Sequence, residues 1–579
     1  MEDNRVHKNC ERLHDVKKFE NLKEMLKNTR KEYGERVAFK FKTDKPDVFR
    51  EEKFNEYLDN IEALGTALID IGLKDKRIAV ISENRYEWTL GYLATVTGVG
   101  IVVPLDKSLP EIEIENSIKR SEVEAIFYSK KYDEIMDKVR KQNDTKLKHF
   151  ISMDNEKTDN GVYSIKELIS KGKELLKQGN KEYLDAKIDN ENMSIMLFTS
   201  GTTSMSKAVM LSHKNICTNL YDIMSTFDVN KEDTILSFLP LHHVFECTVG
   251  FLYPVAVGAC ITYCEGIRHI AENIKEYRVS VMISVPLLFE NMYQKLWKTI
   301  EKQGKTKKVK FGLFMSNLLT KFGIDKRREL FKEILDSLGG KIRLFVAGAA
   351  AFDKEAEAGF NKFGIATFQG YGLTETSPVI AAEHPTVVKY GSIGQLYPSV
   401  QGKIWNPDKD GVGELVVKGD SVMLGYYDNE EATKSAFEGG WFHTGDLAYF
   451  DKDDYIFITG RQKSVIVLKN GKNIYPEELE GLINKIEGVK EPFVYGKPEN
   501  GDETDLKLNA KIVYDPEIMK EKFGLEKEED IKEKLWKAVK DVNKGVPTYK
   551  YVKGITITTE ELIRTTTQKV KRFEEIKRV

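Results

Sequence analysis

Residues 194–207 read Ser-Ile-Met-Leu-Phe-Thr-Ser-Gly-Thr-Thr-Ser-Met-Ser-Lys. The apolar run at residues 194–198 predicts a buried strand, and five hydroxyl side chains follow it within the six positions 199–204. Hydroxyls and exposed backbone N–H groups donate to phosphate oxygens, and the lysine at 207 adds a positive charge. The stretch therefore predicts a strand leading into a polyphosphate-binding loop, although an ordinary Ser/Thr-rich turn has the same composition. The second glycine of the Walker loop is missing, which disfavours a P-loop kinase.

The sequence around this strand alternates between short apolar runs and helix-period segments. Such runs stand at residues 78–81, 101–104, 125–128, 279–285, 342–346 and 365–368. This alternation predicts an α/β architecture with largely buried sheets over residues 1–460. From about residue 391 to 459 turn residues become frequent and long helices disappear, which predicts a mostly β subdomain.

A smaller unit is predicted after the Gly460-Arg461 pair, over residues 461–579. A strand at 465–468 and an Asn470-Gly471 turn precede Pro476, which begins a helix with acidic residues in its first turn. Apolar residues at 479, 482, 483 and 486 give that helix one buried face. The sequence therefore predicts a compact α+β C-terminal domain of about 120 residues.

Composition excludes several classes of protein. The chain has 579 residues, of which 41% are hydrophobic and 31% charged, and its formal net charge is −2. That balance provides no general attraction for nucleic acid or for anionic lipid. Five irregularly spaced cysteines predict buried, reduced thiols instead of a disulfide scaffold. The charged N-terminus lacks a signal peptide, which predicts a cytoplasmic protein.

Two segments raise the question of a membrane. Residues 248–264 are apolar but short, and Pro254 interrupts them, so a buried helix followed by a core strand is the better interpretation. Residues 301–311 carry five lysines next to the apolar segment 311–319. They form either a solvated surface loop or a basic patch that contacts a membrane peripherally.

Six further strings follow the phosphate-loop sequence along the chain. They are Leu239-Pro240-Leu241-His242-His243, Gly348-Ala349-Ala350, Gln369-Gly370-Tyr371-Gly372-Leu373-Thr374-Glu375-Thr376, Thr444-Gly445-Asp446, and Arg461-Gln462-Lys463 with the Asn470-Gly471 turn; Thr565-Thr566-Thr567-Gln568-Lys569 stands near the C-terminus. Together they resemble the adenylate-forming (ANL) superfamily, and most closely its bacterial long-chain fatty-acid CoA ligases. The resemblance covers residues 20 to 575, and serines at 204 and 206, alanine at 208 and glutamine at 568 depart from the family pattern.

The resemblance assigns expected roles to the nucleotide-binding residues. The two glycines around Tyr371 permit a tight turn that presents its ring to adenine, Thr374 reaches the α-phosphate, and Glu375 suits Mg²⁺. Asp446 accepts hydrogen bonds from the ribose hydroxyls, and Arg461 contacts ribose or phosphate. The remaining residues expected to bind ATP are Thr199, Ser200, Gly201, Thr202, Thr203, Lys207, Gly348, Ala349, Gln369, Gly370 and Gly372.

Other residues are expected to act on the acyl group and the thiol. By resemblance, His243 lies near the reacting carboxylate, Lys569 is the catalytic lysine, Lys463 is the hinge and Gly471 lines the thiol tunnel. The implied fold is a large N-terminal domain of two α/β subdomains plus a β-rich subdomain, with a small mobile α+β lid.

The implied reaction is ATP-dependent activation of a fatty acid to acyl-AMP, with pyrophosphate released, followed by transfer to CoA. Mg²⁺ is the expected cofactor, and ATP and CoA are co-substrates. Two alternatives stay open: a ligase that delivers the acyl group to acyl carrier protein, and a catalytically silent nucleotide- or fatty-acid-binding protein.

Overall fold

A computed structural model describes residues 7–43, 45, 48–199, 206–469, 473–499, 502–564 and 570–579, with backbone only at 499 and 502–505. The strands are β1 (Val37–Lys42), β2 (Phe49–Lys53), β3 (Lys76–Ile81), β4 (Gly100–Pro104), β5 (Ala125–Tyr128), β6 (His149–Ser152), β7 (Val162–Ser164), β8 (Met193–Thr199), β9 (Lys207–Ser212), β10 (Thr234–Ser237), β11 (Cys260–Tyr263), β12 (Val281–Ser284), β13 (Leu344–Ala347), β14 (Ala366–Gly372), β15 (Val379–Ala382), β16 (Gln395–Leu396), β17 (Val400–Trp405), β18 (Gly413–Gly419), β19 (Gly425–Tyr426), β20 (Phe437–Glu438), β21 (Trp441–Phe450), β22 (Ile456–Arg461), β23 (Ile466–Val467), β24 (Asn473–Ile474), β25 (Val489–Glu499), β26 (Asp502–Tyr514) and β27 (Gly554–Thr558).

The α-helices are α1 (Leu22–Tyr33), α2 (Phe54–Asp70), α3 (Tyr86–Ala94), α4 (Glu111–Ser121), α5 (Asp133–Gln142), α6 (Ile165–Lys177), α7 (Glu182–Asp185), α8 (His213–Thr226), α9 (Tyr253–Val257), α10 (Ile270–Glu276), α11 (Pro286–Lys302), α12 (Thr306–Lys321), α13 (Arg327–Leu330), α14 (Lys332–Ser337), α15 (Lys354–Lys362), α16 (Glu430–Ala436), α17 (Pro476–Ile483), α18 (Pro516–Phe523), α19 (Glu528–Lys544) and α20 (Arg572–Ile576). Two π-helical segments, Thr95–Val99 and Glu246–Leu252, continue α3 and precede α9.

Two large, mainly parallel sheets carry the fold. In the described part of the chain, one sheet has the strand order β19-β9-β8-β4-β3-β5-β6-β7 and the other β16-β15-β14-β13-β12-β10-β11-β1-β2. Their inner strands read as near-continuous apolar runs because helices cover both faces of a parallel sheet. The carboxyl ends of such strands are where ligands bind in α/β sheets.

Smaller sheets follow in the C-terminal third of the described chain. The order β17-β18-β21-β20, with β22 pairing with β21, forms a five-stranded antiparallel sheet. Beyond it, β23 pairs with β24, and β25-β26-β27 form a three-stranded sheet that packs with α17 and α19 around Leu479, Ile483 and Leu535. The mixed α/β class predicted from the sequence is confirmed.

Several local predictions are tested directly. A π-helix and α9, followed by β11, occupy residues 246–263, so the prediction of a buried helix and a core strand is confirmed. Helix α11 ends at Lys302 and α12 begins at Thr306, so the interpretation of residues 301–311 as a surface loop is wrong for all of that segment except residues 303–305. All five cysteines are free, and four of them are buried. No helix within the described ranges is long and apolar enough to cross a bilayer.

Candidate active site

The phosphate-loop sequence connects two antiparallel strands. Thr199 at the end of β8 pairs with Lys207 at the start of β9, and the Thr199 hydroxyl donates to the Lys207 carbonyl over 3.3 Å. Ser206 is fixed by Arg120 of α4, whose guanidinium donates to its hydroxyl at 3.1 Å and to its carbonyl at 2.7 Å. The predicted ligands Ser200, Gly201, Thr202 and Thr203 lie outside the described residues.

A tyrosine joins Lys207 to Glu375. The Lys207 ammonium lies 4.4 Å from the centre of the Tyr426 ring, and the Tyr426 hydroxyl donates to Glu375 Oε1 at 2.9 Å. Strand β19 carries Tyr426 and pairs with β9, which explains how the ring reaches both side chains. Burial and the Glu375 carboxylate raise the pKa of the Tyr426 phenol, so it remains a hydrogen-bond donor.

Sequence reasoning missed Tyr426, although its position directly after Gly425 was a possible signal.

Thr374 and Glu375 begin a 3₁₀ turn, Thr374–Thr376, that follows β14. Gly372, at the end of β14, is tightly enclosed, because a Cβ at this position would lie 1.8 Å from the Pro378 carbonyl oxygen. Close packing at Gly372 therefore fixes the direction in which the chain leaves β14 toward the turn.

The buried Asp446 carboxylate connects three strands. The Tyr371 hydroxyl on β14 donates to Asp446 Oδ2 at 2.5 Å, and Arg461 Nε lies 2.8 Å from Asp446 Oδ1. Asp446 on β21 and Arg461 on β22 are register partners. Burial and the neighbouring carboxylate raise the pKa of the Tyr371 phenol, which keeps it protonated. Each carboxylate oxygen has two acceptor sites, so Asp446 can still accept from a diol.

The Gly348-Ala349 segment follows β13 and packs on an aromatic ring. A Cβ added at Gly348 would lie 2.8 Å from Phe245 Cζ, and Ala349 has a left-handed φ of 73°. The Gln369 side chain accepts a hydrogen bond from the Phe352 N–H at 2.7 Å and thereby ties this segment to β14. The Gln369 N–H donates to Glu383 at 2.9 Å. Burial and the neighbouring Glu357 raise the pKa of Glu383 to about 11.

The histidine pair lies on a turn between β10 and the second π-helix. His242 Nε2 is 3.3 Å from Asp106 Oδ1, and the Phe245 N–H donates to His243 Nδ1 at 3.3 Å. The amide of Asn84 braces this turn through three hydrogen bonds. Its Nδ2 donates to the Ser237 hydroxyl at 3.0 Å and the Leu239 carbonyl at 2.6 Å, and its Oδ1 accepts from the Leu241 N–H at 3.1 Å.

A buried glutamate lies directly after this turn. Glu246 accepts a hydrogen bond from the Ser237 hydroxyl at 2.7 Å, and Gly250 faces it so closely that a Cβ there would lie 2.6 Å from the carboxyl carbon. Burial raises the pKa of Glu246 to about 8. The group is therefore largely protonated at neutral pH.

A narrow apolar pocket opens beside Gly370. Its lining consists of Ile223, Phe227, Val229, Ile235, Phe245, Val249, Tyr253, Pro254, Val281, Ile283, Leu344, Val346, Phe368, Gln369, Gly370, Val379, Ala382 and Tyr397. The walls come from the second large sheet on one side and from α8, the second π-helix and α9 on the other. The sequence did not reveal this pocket. Its alternating apolar residues have the same pattern as ordinary core residues.

The described site residues therefore fall into connected groups. Strand β14 links the pocket at Gly370 to the Tyr371–Asp446–Arg461 group, and the following turn links it to Glu375, Tyr426 and Lys207. Lys463 lies in the 3₁₀ turn Gln462–Ser464, directly after Arg461. Gly471 and Lys569 lie outside the described residues. Among those described, no group of three potential metal-ligating side chains is present.

The fold and these linked groups indicate an enzyme that binds a nucleotide beside an apolar pocket. A family model described as AMP-binding enzyme matches residues 26–427, and the chain belongs to that family.

Known relatives agree with the family assignment. Fatty acyl-CoA synthetase B of Dictyostelium discoideum is 29% identical over 545 residues, covering 88% of this chain and 80% of the relative. Long-chain-fatty-acid–CoA ligase 5 of Mus musculus is 28% identical, covering 90% of this chain and 82% of its own. The solved structure of the anthranilate CoA ligase AuaEII in complex with anthranoyl-AMP has a TM-score of 0.76, with 19% identity and coverage of 97% and 98%. At that identity the last likeness concerns the fold alone.

Proposed function

We propose that this enzyme is an AMP-forming long-chain fatty acid–CoA ligase. One observation carries the proposal: Gly370 lines the apolar pocket, and the next residue is the tyrosine whose hydroxyl donates to Asp446. An acyl chain in the pocket would therefore place its carboxylate at the end of β14, next to a nucleotide held by Tyr371 and Asp446. The names of the relatives point to the same substrates.

The lining of the pocket has the chemistry that an alkyl chain requires. Its lining is apolar or aromatic apart from the amide of Gln369, and ligand pockets of this kind bind mainly through burial of apolar surface. Phe245 lies against Gly348 and is part of the pocket wall. The position of the Phe245 ring in this wall therefore depends on the absence of a side chain at Gly348, in a predicted nucleotide-binding segment.

The chemistry divides into two displacements. A carboxylate oxygen of the acid forms a bond to the α-phosphorus of ATP while the bond to pyrophosphate breaks, and pyrophosphate leaves with the electron pair. The sulfur of CoA then forms a bond to the acyl carbon, AMP leaves, and the thiol proton passes to solvent. Both steps depend mainly on positioning and charge neutralisation.

Each described residue has a role in this scheme. Tyr371 would pack against adenine, Asp446 and Arg461 would hold the ribose, and Lys207 would face the outer phosphates. Thr374 would reach the α-phosphate, and His243 would lie beside the reacting carboxylate. Ser200, Gly201, Thr202, Thr203 and Lys569 belong to the same proposal, but lie outside the described residues.

Mg²⁺ fits the donors present. Glu375 supplies a carboxylate on the side of Lys207, with one oxygen accepting from Tyr426 and further acceptor capacity left. Mg²⁺ characteristically takes one or two carboxylates and completes its shell with water and substrate phosphates. When bound, the ion would neutralise charge on the phosphates, and Tyr426 would hold the Glu375 carboxylate in position.

The division of the chain into residues 1–460 and 461–579 is part of the proposal. The C-terminal part has its own apolar cluster, whose buried members run from Ile474 to Ile555. A rigid lobe of this kind could swivel at Lys463 and exchange Lys569 for the Gly471 loop between the two steps.

The test is pyrophosphate release from ATP across acids from acetate to oleate, with and without CoA. The expected result is release that rises with chain length, and thioester formation only with CoA present. Acyl carrier protein serves as the competing acceptor, and a preference for it would overturn the assignment to CoA. Absence of acid-dependent pyrophosphate release with every acid would overturn the proposed function itself.

A further inference from the structure

Helix α12 carries an apolar stripe that faces solvent. Phe311, Phe314, Leu318 and the following Phe322 are 65%, 64%, 41% and 76% exposed. At 100° per residue these four positions fall within roughly 80° of the helix circumference. Single exposed apolar residues are ordinary, but four large ones in one row on one helix are not.

The opposite side of α12 is anchored to the protein. Val309 and Ser316 are buried, and Val309 belongs to an apolar cluster with Ile300, Phe331 and Phe363. Gly312 lies so near the Phe331 ring that a Cβ there would be 3.2 Å from it. The stripe is therefore held in one orientation by packing.

The charged residues of α12 itself have a single sign. Residues 306–321 contain lysines at 307, 308, 310 and 321 and no acidic residue. Lys308 and the preceding Lys305 contact Glu333, whereas Lys307, Lys310 and Lys321 have no carboxylate partner within 4 Å among the described residues. Lys310 and Lys321 flank one side of the stripe, and Lys307 lies at its N-terminal end.

We infer that this face of α12 docks on an anionic lipid surface. Apolar side chains between lysines, on a helix too short to cross a bilayer, are the features of a helix that lies in the membrane interface. The rings would enter the boundary between headgroups and acyl chains, and the lysines would meet the lipid phosphates. Docking does not depend on the ligase chemistry, although a bilayer is also where long-chain acids accumulate.

The experiment is co-sedimentation of the full-length protein with vesicles of phosphatidylcholine, with or without phosphatidylglycerol. The expected result is binding to the anionic vesicles that weakens with salt. F311S/F314S should reduce the partition coefficient at least about tenfold. Charge reversal at Lys310 or Lys321 should reduce it about fivefold each. The matched control is I267S/V387S, which removes two exposed apolar side chains elsewhere and should bind like the wild type.

Three outcomes would overturn the inference. They are equal binding by F311S/F314S and the wild type, equal binding to neutral and anionic vesicles, and a change of oligomeric mass in F311S/F314S without a change in vesicle binding. The last would make the stripe a contact between copies of this chain. Pyrophosphate release with a water-soluble medium-chain acid separates this test from the proposed function, because F311S/F314S should retain it.

Discussion

At the scale of single residues, the most constrained group in the site is the Asp446 carboxylate. It is buried, yet it receives a hydrogen bond from Tyr371 at 2.5 Å and lies 2.8 Å from Arg461 Nε. A buried carboxylate with a neutral hydroxyl donor on one oxygen and a guanidinium on the other is held in one orientation before any ligand arrives. An acceptor that is fixed in this way can recognise the hydroxyl groups of a ribose by their positions.

The first prediction concerns that carboxylate. Asp446→Asn keeps the shape but replaces one acceptor oxygen by a donor, which opposes both Arg461 and a ribose hydroxyl. We expect the KM for ATP to rise by at least about tenfold, because hydrogen bonds to charged groups contribute about 1.5–3 kcal/mol. Steady-state pyrophosphate release at varied ATP measures it, with Tyr371→Phe as the milder comparison. An unchanged KM for ATP in a folded variant would remove Asp446 from the nucleotide site.

The second prediction concerns Gly348. A side chain there must displace Phe245, whose ring would lie 2.8 Å from the new Cβ. Since Phe245 lines the pocket, Gly348→Val should lower kcat/KM for palmitate roughly tenfold, as expected for overpacking of about 1–3 kcal/mol, and affect hexanoate less. Chain-length profiles measure the effect. In a Phe245→Ala background the same substitution should do little, and an undiminished loss there would contradict this route.

At the scale of elements, sequence periodicity predicts where strands and helices lie along the chain, but it does not predict which distant elements pack against one another. The run at 125–128 is strand β5 to the residue, and Pro476 begins α17 with Glu477 and Glu478 in its first turn. The interpretation of the lysine-rich segment 301–311 as a surface loop is wrong for most of its length. Charged residues occur in exposed loops and on exposed helix faces alike, and lysine has a favourable helix propensity. The pocket escaped prediction because its walls come from elements between residues 223 and 397, which no local pattern connects.

The residues of the candidate site likewise fall into those that sequence motifs identify and those that only tertiary contacts identify. Motif strings singled out Tyr371, Asp446, Glu375 and Lys207, because hydroxyls, carboxylates and glycines in fixed order carry recognisable chemistry. Tyr426, which contacts both Lys207 and Glu375, and Asn84, which braces the histidine turn, carry no such string. Their importance arises from contacts with residues that are more than 50 positions away in the sequence.

The third prediction concerns the turn that Asn84 braces. Asn84→Ala removes three hydrogen bonds from the Ser237–Leu241 segment, so the turn that carries His243 should lose its fixed position. We expect kcat for adenylation to fall about tenfold with the KM for ATP unchanged, since this residue acts through the turn and not on the nucleotide. Asn60→Ala, which removes a comparable amide on α2, is the control. An effect on stability alone would show that the brace is not needed for catalysis.

At the scale of the whole molecule, the fourth prediction concerns stability and pH. Burial raises the pKa of Glu246 from 4.5 to about 8, so the folded state retains a proton that the unfolded state releases between those values. The contribution to stability is therefore complete below about pH 4.5 and is lost as pH rises toward 8, by an amount on the order of 3–5 kcal/mol.

Glu246→Gln should remove that dependence. The amide cannot ionise, so the variant should match the wild type near pH 5 and exceed it in unfolding free energy near pH 8. Urea unfolding at pH 5, 6.5 and 8 measures the difference, and exposed Glu521→Gln is the control. A stability difference between variant and wild type that does not change with pH would contradict the proposed ionisation.

The fifth prediction concerns movement between the two proposed lobes. Lys463 lies in a 3₁₀ turn between β22 and β23, and proline fixes φ near −65°, within the range of such a turn. The φ of proline therefore suits such a turn, and Lys463→Pro blocks any swivel that needs a different φ at this residue. We expect pyrophosphate release to stay within about threefold of the wild type and thioester formation to fall at least tenfold. Lys463→Ala, which removes the side chain and leaves φ free, should retain both steps. Equal losses in the two half-reactions of Lys463→Pro would mean that both proceed from one arrangement of the lobes.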